Sequence, residues 1–249
     1  MLVDTVHRLL DDAAEVAEGG VPGDVGAGPL QVGVDLGTAG CVVVVLAGGR
    51  PVWVDSRPSG ALADGVVVDF ARAVATVRGL RDAAQDALGV SLSAAATAYP
   101  PCIPVADARA CTFVCEAAGF DEVALVDEVA AAQRTLDVRH GVVVDVGGGS
   151  TGVGVYRDGE LVRLDDRAGG GHHLDLVLAG ALRVPLEEAE PYKRANPREA
   201  LPVLVPGLQR IAENVRALTV GHEDLPLHLA GGALMIPGAG DVLAGYLER

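Results

Sequence analysis

Asp145-Val146-Gly147-Gly148-Gly149-Ser150-Thr151 places a carboxylate at the end of an apolar strand, then three glycines, then two hydroxyls. Val142 to Asp145 reads as that strand and Val153 to Tyr156 as the next, with Gly147 to Thr151 as the turn. Glycine has no Cβ, so the backbone of such a turn approaches a ligand closely and leaves N–H groups for phosphate oxygens. A carboxylate beside it suits magnesium, usually through water. One such turn is a weak signal, because Asp-x-Gly also occurs in ordinary turns. Here the device occurs twice: Asp35-Leu36-Gly37-Thr38 ends the strand Gln31 to Asp35 and leads into Cys41 to Leu46.

The surroundings recur as well. Gly48-Gly49 turns the first copy into a third strand, Val52 to Val54, and Asp158-Gly159 turns the second into Leu161 to Arg163. The two aspartates stand 110 residues apart (145 minus 35), far beyond a solenoid period, which predicts two similar lobes. Between them, Asp107 can cap a helix on which Cys111, Val114, Cys115 and Ala118 share a face and which Gly119 can end. Each lobe is thus a sheet covered by helices, an α/β arrangement.

Five segments together resemble the actin-like ATPases, the superfamily of sugar kinases, DnaK-type chaperones and the filament proteins MreB and FtsA. Val32 to Thr38 and Val142 to Thr151 are similar to its two phosphate loops, and Leu125-Val126-Asp127-Glu128-Val129-Ala130-Ala131-Ala132 to its first connecting helix. Gly170-Gly171 before a helix, and Leu229-Ala230-Gly231-Gly232 before Pro237-Gly238, resemble its nucleotide-contacting glycines and adenosine motif. Asp69-Phe70, Ala96 to Pro101, Gly170-Gly171-His172-His173 and Leu186 to Arg194 resemble the EutJ branch in wording and order, over residues 30 to 245.

The resemblance implies an actin-like (ribonuclease H-like) fold, two similar lobes with a nucleotide cleft between them. ATP or ADP with Mg2+ would be held by Gly37, Thr38, Gly147, Gly148, Gly149, Ser150, Thr151, Gly170, Gly171, Gly231 and Gly232. Asp35 and Asp145 would organise magnesium through water, and Glu128 would hold the attacking water. These three carry the catalytic role, since phosphoryl transfer is mostly positioning and charge neutralisation. Glu190 and Lys193 match the ribose-contacting helix; the other reading is a solvated i, i+3 charge pair. The expected division is 1–29 as helix and tether, 30–137 as lobe I and 138–249 as lobe II. Two departures bear on activity. No lysine stands between the third strand and Tyr99, so weak magnesium-dependent ATPase activity at most is implied, and the chain ends at Arg249, where relatives continue into a second connecting helix.

Composition agrees with a folded, acidic protein. Half of the 249 residues are hydrophobic, and a formal net charge of −15 gives no attraction to phosphate backbones or anionic lipid. No apolar run approaches the ~20 residues of a membrane span, and the acidic N-terminus lacks a signal-peptide pattern. A cytoplasmic setting is expected, without nucleic-acid or membrane partners. Cys41, Cys102, Cys111 and Cys115 form no metal spacing and read as small hydrophobes. His172-His173 are adjacent in sequence, which points the rings apart. Trp53 and Tyr99 read as packing residues.

Leu2 to Ala17 forms an amphipathic helix, with Leu2, Val6, Leu9, Leu10, Ala13, Val16 and Ala17 on its stripe, and Gly19 to Pro29 reads as a flexible tether. The stripe either docks onto another protein or packs on its own domain. The EutJ resemblance implies a nucleotide-switched, chaperone-like or assembly factor whose partners are microcompartment shell or enzyme proteins. A small-molecule kinase and an MreB- or FtsA-like filament or adaptor are the alternatives on this fold.

Overall fold

The computed structural model describes residues 2–19, 25–26, 28–63 and 66–248, so most of the expected tether lies outside the described residues. Contacts divide the chain into two compact units. One holds the chain through Tyr99 together with Ile103–Asp127; the other holds Pro100–Cys102 and everything from Glu128 onward.

The first unit runs α1 (Leu2–Gly19), β1 (Leu30–Leu36), β2 (Gly40–Ala47), β3 (Arg50–Pro58), a small hairpin of β4 (Leu62–Ala63) and β5 (Val66–Val67), α2 (Phe70–Leu88), β6 (Ala94–Tyr99), α3 (Val105–Ala118) and β7 (Glu122–Asp127). Its sheet has the order β3-β2-β1-β6-β7, with β1 to β3 antiparallel and β6 and β7 parallel to β1. Strand alternation buries Val32, Val34 and Leu36 on one face and turns Asp35 to the other. On the buried face α2 and α3 seal Val77, Leu80 and Val114 from solvent. Trp53 also joins this core.

Cys111, Val114, Cys115 and Ala118 are buried on α3, and left-handed Gly119 ends it. Its start differs from expectation. Pro104 is the cap residue, and Asp107 lies inside the first turn with its N–H donated to the Pro104 carbonyl. Proline's fixed φ sets the entry of the chain, and Asp107 complements the positive end of the helix from within it.

The second unit contains α4 (Glu128–Leu136), β8 (Gly141–Val146), β9 (Ser150–Arg157), β10 (Glu160–Ala168), α5 (Gly171–Leu182), α6 (Leu186–Ala195), α7 (Pro197–Leu218), β11 (Leu227–Ala230), a 3-10 turn (Gly232–Leu234) and α8 (Ala239–Leu247). The sheet order is β10-β9-β8-β11. One face packs on α7, with Leu204, Leu208 and Ile211 fully buried beside Leu174 of α5 and Leu243 of α8. The other carries α4. A Cβ added to Gly152 would lie 2.8 Å from a Val129 methyl, so the bare backbone of β9 is what lets α4 settle on the sheet. That packing groups α4 with the second unit, and the division falls at Asp127/Glu128 rather than near residue 137.

Two further differences concern element ends. The helix expected from Leu125 starts at Glu128, because Leu125, Val126 and Asp127 pair in parallel with Thr97, Ala98 and Tyr99. α8 follows the Gly231-Gly232 segment, where the sequence analysis places no helix.

The two three-stranded meanders repeat residue by residue at the 110-residue offset. Leu36 opposite Cys41 becomes Val146 opposite Thr151, and Asp35 opposite Val42 becomes Asp145 opposite Gly152. Pro58 opposite Gly40 becomes Ala168 opposite Ser150. The irregularity that skips Val52 on β3 recurs where β10 skips Val162. Both hairpin turns place two successive residues at positive φ, Gly48 and Gly49 in one, Asp158 and Gly159 in the other, as a type I′ turn requires.

Candidate functional site

In the first unit the turn after Asp35 closes through Gly37 N–H donating to Gly40 O at 3.0 Å. A Cβ on Gly37 would stand 3.0 Å from that carbonyl, so a side chain there would require the turn to give way by a few tenths of an ångström. Asp35 is exposed on the sheet face away from the α2/α3 core, and Thr38 is half-buried.

The turn after Asp145 closes in the same way, with Gly147 N–H donating to Ser150 O at 3.0 Å. It is braced from behind. Gly171 and His172, at the start of α5, donate their N–H groups to Gly147 O at 2.9 Å and Gly148 O at 2.8 Å, and Gly169 N–H reaches Gly149 O at 3.0 Å. Thr151 Oγ1 donates to Gly169 O at 2.6 Å, and Asn214 Nδ2 to Ala168 O at 3.2 Å. The turn's carbonyls are thereby drawn toward the positive end of α5. Its Gly148 and Gly149 N–H groups have no partner among the described residues, which is what an anion-binding nest presents.

Two glycines are dictated by this packing. A Cβ on Gly170 would collide with Gly147 O, and one on Gly231, whose φ is +98°, with Val146 O and with Asp145 Oδ1 at 2.5 Å. Gly232 differs: a Cβ there meets nothing, and neither does its backbone demand glycine. The second unit therefore brings Asp145, Gly147 to Thr151, Gly170, Gly171, Gly231 and Gly232 into one locus. Glu128 is the first residue of α4, half-buried.

These residues suit a polyphosphate with magnesium, on their unpartnered N–H groups and the nearby carboxylate. Among the described residues no three acidic, histidine or cysteine groups gather to cage an ion. A magnesium ion would keep water and phosphate oxygens as most of its ligands.

The MreB/Mbl protein family model matches residues 52–185. The ethanolamine utilization protein EutJ of Salmonella typhimurium is 41% identical over 211 residues, 84% of this chain and 75% of its own. The chain belongs to the EutJ family. The crystal structure of EutJ from Carboxydothermus hydrogenoformans superimposes with a TM-score of 0.93 at 35% identity, covering 98% of this chain and 91% of that one. An MreB of Spiroplasma citri bound to ADP matches with a TM-score of 0.64 at 15% identity over 88% and 96% of the two chains. The EutJ chain thus has the actin-like ATPase fold. No helix among its described residues is long and apolar enough to cross a membrane.

Glu190 and Lys193 of α6 form a network with Asp175 of α5, one helical turn after the Gly171 that braces the glycine turn. Lys193 Nζ donates to Asp175 Oδ1 at 2.6 Å and pairs with Glu190 Oε2, while Arg194 Nε reaches Glu190 Oε1 at 2.6 Å. Burial alone would raise the Glu190 pKa, but the bonds from Lys193 and Arg194 win and hold it below the usual value. Asp175 stays raised by burial despite Lys193. Lys193 is buried, so the solvated charge pair does not describe it.

Sequence reasoning missed Asp175, Asn214 and Asp166. Asp175 stands 18 positions before Lys193, and Asp166 shares a cross-strand row with Asp145 only through the strand register. No local pattern marks either. His172 and His173 are exposed, with ring centroids 6.3 Å apart.

Proposed function

We propose that this EutJ-family chain binds ATP or ADP with magnesium and serves as a chaperone-like or assembly factor in microcompartment-based ethanolamine metabolism, in the cytoplasm. The observation that carries the reading is the repeated turn: the same Asp, the same Gly N–H closure and the same register 110 residues apart, with Gly148 and Gly149 N–H groups left for an anion. The ADP in the Spiroplasma MreB supports it by analogy of fold.

In this reading Gly37, Thr38 and Gly147 to Thr151 hold the phosphates, Asp35 and Asp145 orient metal-bound water, and Glu128 orients the water that attacks. Gly170, Gly171, Gly231 and Gly232 admit the nucleoside closely, and Glu190, on the helix it shares with Lys193, accepts hydrogen bonds from the ribose hydroxyls. Bound magnesium would neutralise phosphate charge. Shell or enzyme partners would meet α1 on its outer face, along exposed Leu10, Ala14 and Ala17, because Val6, Leu9, Ala13 and Val16 are half-buried on the helix that contacts β3.

Calorimetric titration of the full chain with ADP and ATP, with and without magnesium, tests the proposal. Saturable heat that needs magnesium is expected. No heat and no thermal shift at millimolar nucleotide would remove it.

A further inference from the structure

Asp166 of β10 stands opposite Gly152 of β9, which stands opposite Asp145 of β8. Residues in one cross-strand row project to the same face. Asp145 and Asp166 therefore flank the bare backbone of Gly152, two strand spacings or roughly 10 Å apart at their Cα atoms. Ser150, two residues before Gly152 on β9, shares that face, diagonal to Asp166.

The Ser150 side chain favours the ionised form of the Asp166 carboxylate beside it, while Asp166 Oδ1 is buried without a partner. A buried carboxylate oxygen left unsatisfied opposes folding and calls for a reason. Strand pairing supplies none, because the corresponding row of the first unit holds Asp35, Val42 and Ser56, a hydroxyl where β10 has the acid. The acid belongs to the glycine-rich copy alone. Three backbone bonds and Thr151 fix the turn on the side of Gly169 to His172; Asp166 stands diagonal to Ser150 on the opposite face of the sheet.

We propose that Asp166 is a positioning residue for the second phosphate turn: its carboxylate holds the Ser150 hydroxyl and so keeps Gly147 to Thr151 in the form that receives phosphate. This rests on the nucleotide reading above for its purpose, but not for its structural content. Asp166 acts through Ser150 and makes no claim on the metal.

A double-mutant cycle on the full chain tests it, using Asp166→Asn, Ser150→Ala and the pair. Hydrogen exchange is read on the peptide spanning residues 144–153, and MgADP affinity by calorimetry. Each single change should speed exchange in that peptide and weaken MgADP about tenfold, the loss of one charge-assisted hydrogen bond. The pair should do no more than either alone. Asp166→Ser, which copies Ser56, provides a second variant should the asparagine fold poorly, and it should match Asp166→Asn. Unchanged exchange, or effects that multiply in the pair, would overturn the proposal. If the unaltered chain shows no nucleotide heat, the nucleotide reading falls while the exchange cycle still decides the Asp166–Ser150 link.

Discussion

Lys193 Nζ lies 2.6 Å from Asp175 Oδ1, with 7% of the lysine side chain and 13% of the aspartate exposed. Lys193 is the only lysine in the sequence; arginine supplies every other fixed cation. A compact ammonium fits between two helices where a planar fork would need more room. The pair ties α6 to α5, and the first turn of α5 holds the carbonyls of Gly147 and Gly148.

Removing one partner of a buried pair strands the other charge and costs about 3–5 kcal/mol. Lys193→Met should therefore lower the melting temperature by roughly 10 °C, at about 2–4 °C per kcal/mol for a chain of this size. Adding Asp175→Leu should recover most of it, since an apolar pair of similar volume replaces an ionic one at little cost. A Lys193→Met melt within a degree or two of the unaltered protein would show that the ion pair does not hold the helices.

Gly231 and Gly232 are neighbours with opposite constraints. Gly231→Ala places a Cβ against Val146 O and Asp145 Oδ1 at a positive φ, a strain of about 1–3 kcal/mol. It should lower both melting temperature and nucleotide affinity. Gly232→Ala meets nothing in the protein, so its melt should not move. If nucleotide adjoins this backbone, its affinity should still fall. Thermal melts and titrations of the two variants separate a packing role from a ligand-facing one, and equal affinity for Gly232→Ala and the unaltered chain would place the nucleoside elsewhere.

Asp145 and Glu128 carry different assignments. Asp145→Ala should weaken magnesium-dependent nucleotide binding, whereas Glu128→Ala should leave binding in place and reduce any phosphate release. Wild-type binding and turnover in both variants would show that the roles are wrong.

The repeated turn was readable because its signals are local: an acid at a strand end, glycine after it, a two-residue hairpin further on. The register that carries the repeat through the skipped Val52 and Val162 is a property of paired strands. For the same reason Asp166 has no mark in the sequence. Leu125 and Val126 are apolar residues that suit a strand or a buried helix equally, and only pairing with β6 decides for the strand. Asp107 has the chemistry of a cap, but Pro104 sets the turn three residues earlier.

Asp166 gives a pH signature. Burial pushes its pKa from the ordinary 3.8 up to about 6, Asp165 adds to the rise and the Ser150 bond opposes it. Asp165 is itself paired with Arg163 at 3.1 Å. Between pH ~4 and ~6 the folded protein holds a proton the unfolded chain has released, so this group favours folding less as pH rises through that window. Asp166→Asn removes the cost. Its melting temperature should exceed that of the unaltered chain by about 2–4 °C at pH 7.5, and the gain should vanish near pH 4. A gain that does not depend on pH would mean the carboxylate is not held in this state.

α1 decides how the N-terminal helix is used. Val6, Leu9, Asp12, Ala13 and Val16 are half-buried on one face, the helix contacts β3, and Arg50 Nη2 meets Asp12 Oδ2 at 3.0 Å. That ion pair is largely exposed and contributes about 0–1 kcal/mol at most. Partial burial of four apolar side chains contributes more, about 2–4 kcal/mol, and packing of an amphipathic face supplies most of the stability of a helix in a protein. Deleting residues 1–28 should therefore lower the melting temperature by about 5–10 °C, while Asp12→Ala should move it by no more than a degree or two. Docking of a partner on the inner face would require α1 to leave β3; docking on the outer face would not. Leu10→Glu, on the exposed side, should keep the melt and lose co-purification with microcompartments. If deletion leaves the melt unchanged and abolishes that association, α1 is a docking arm whose inner face serves the partner, and its place on β3 contributes nothing to the fold.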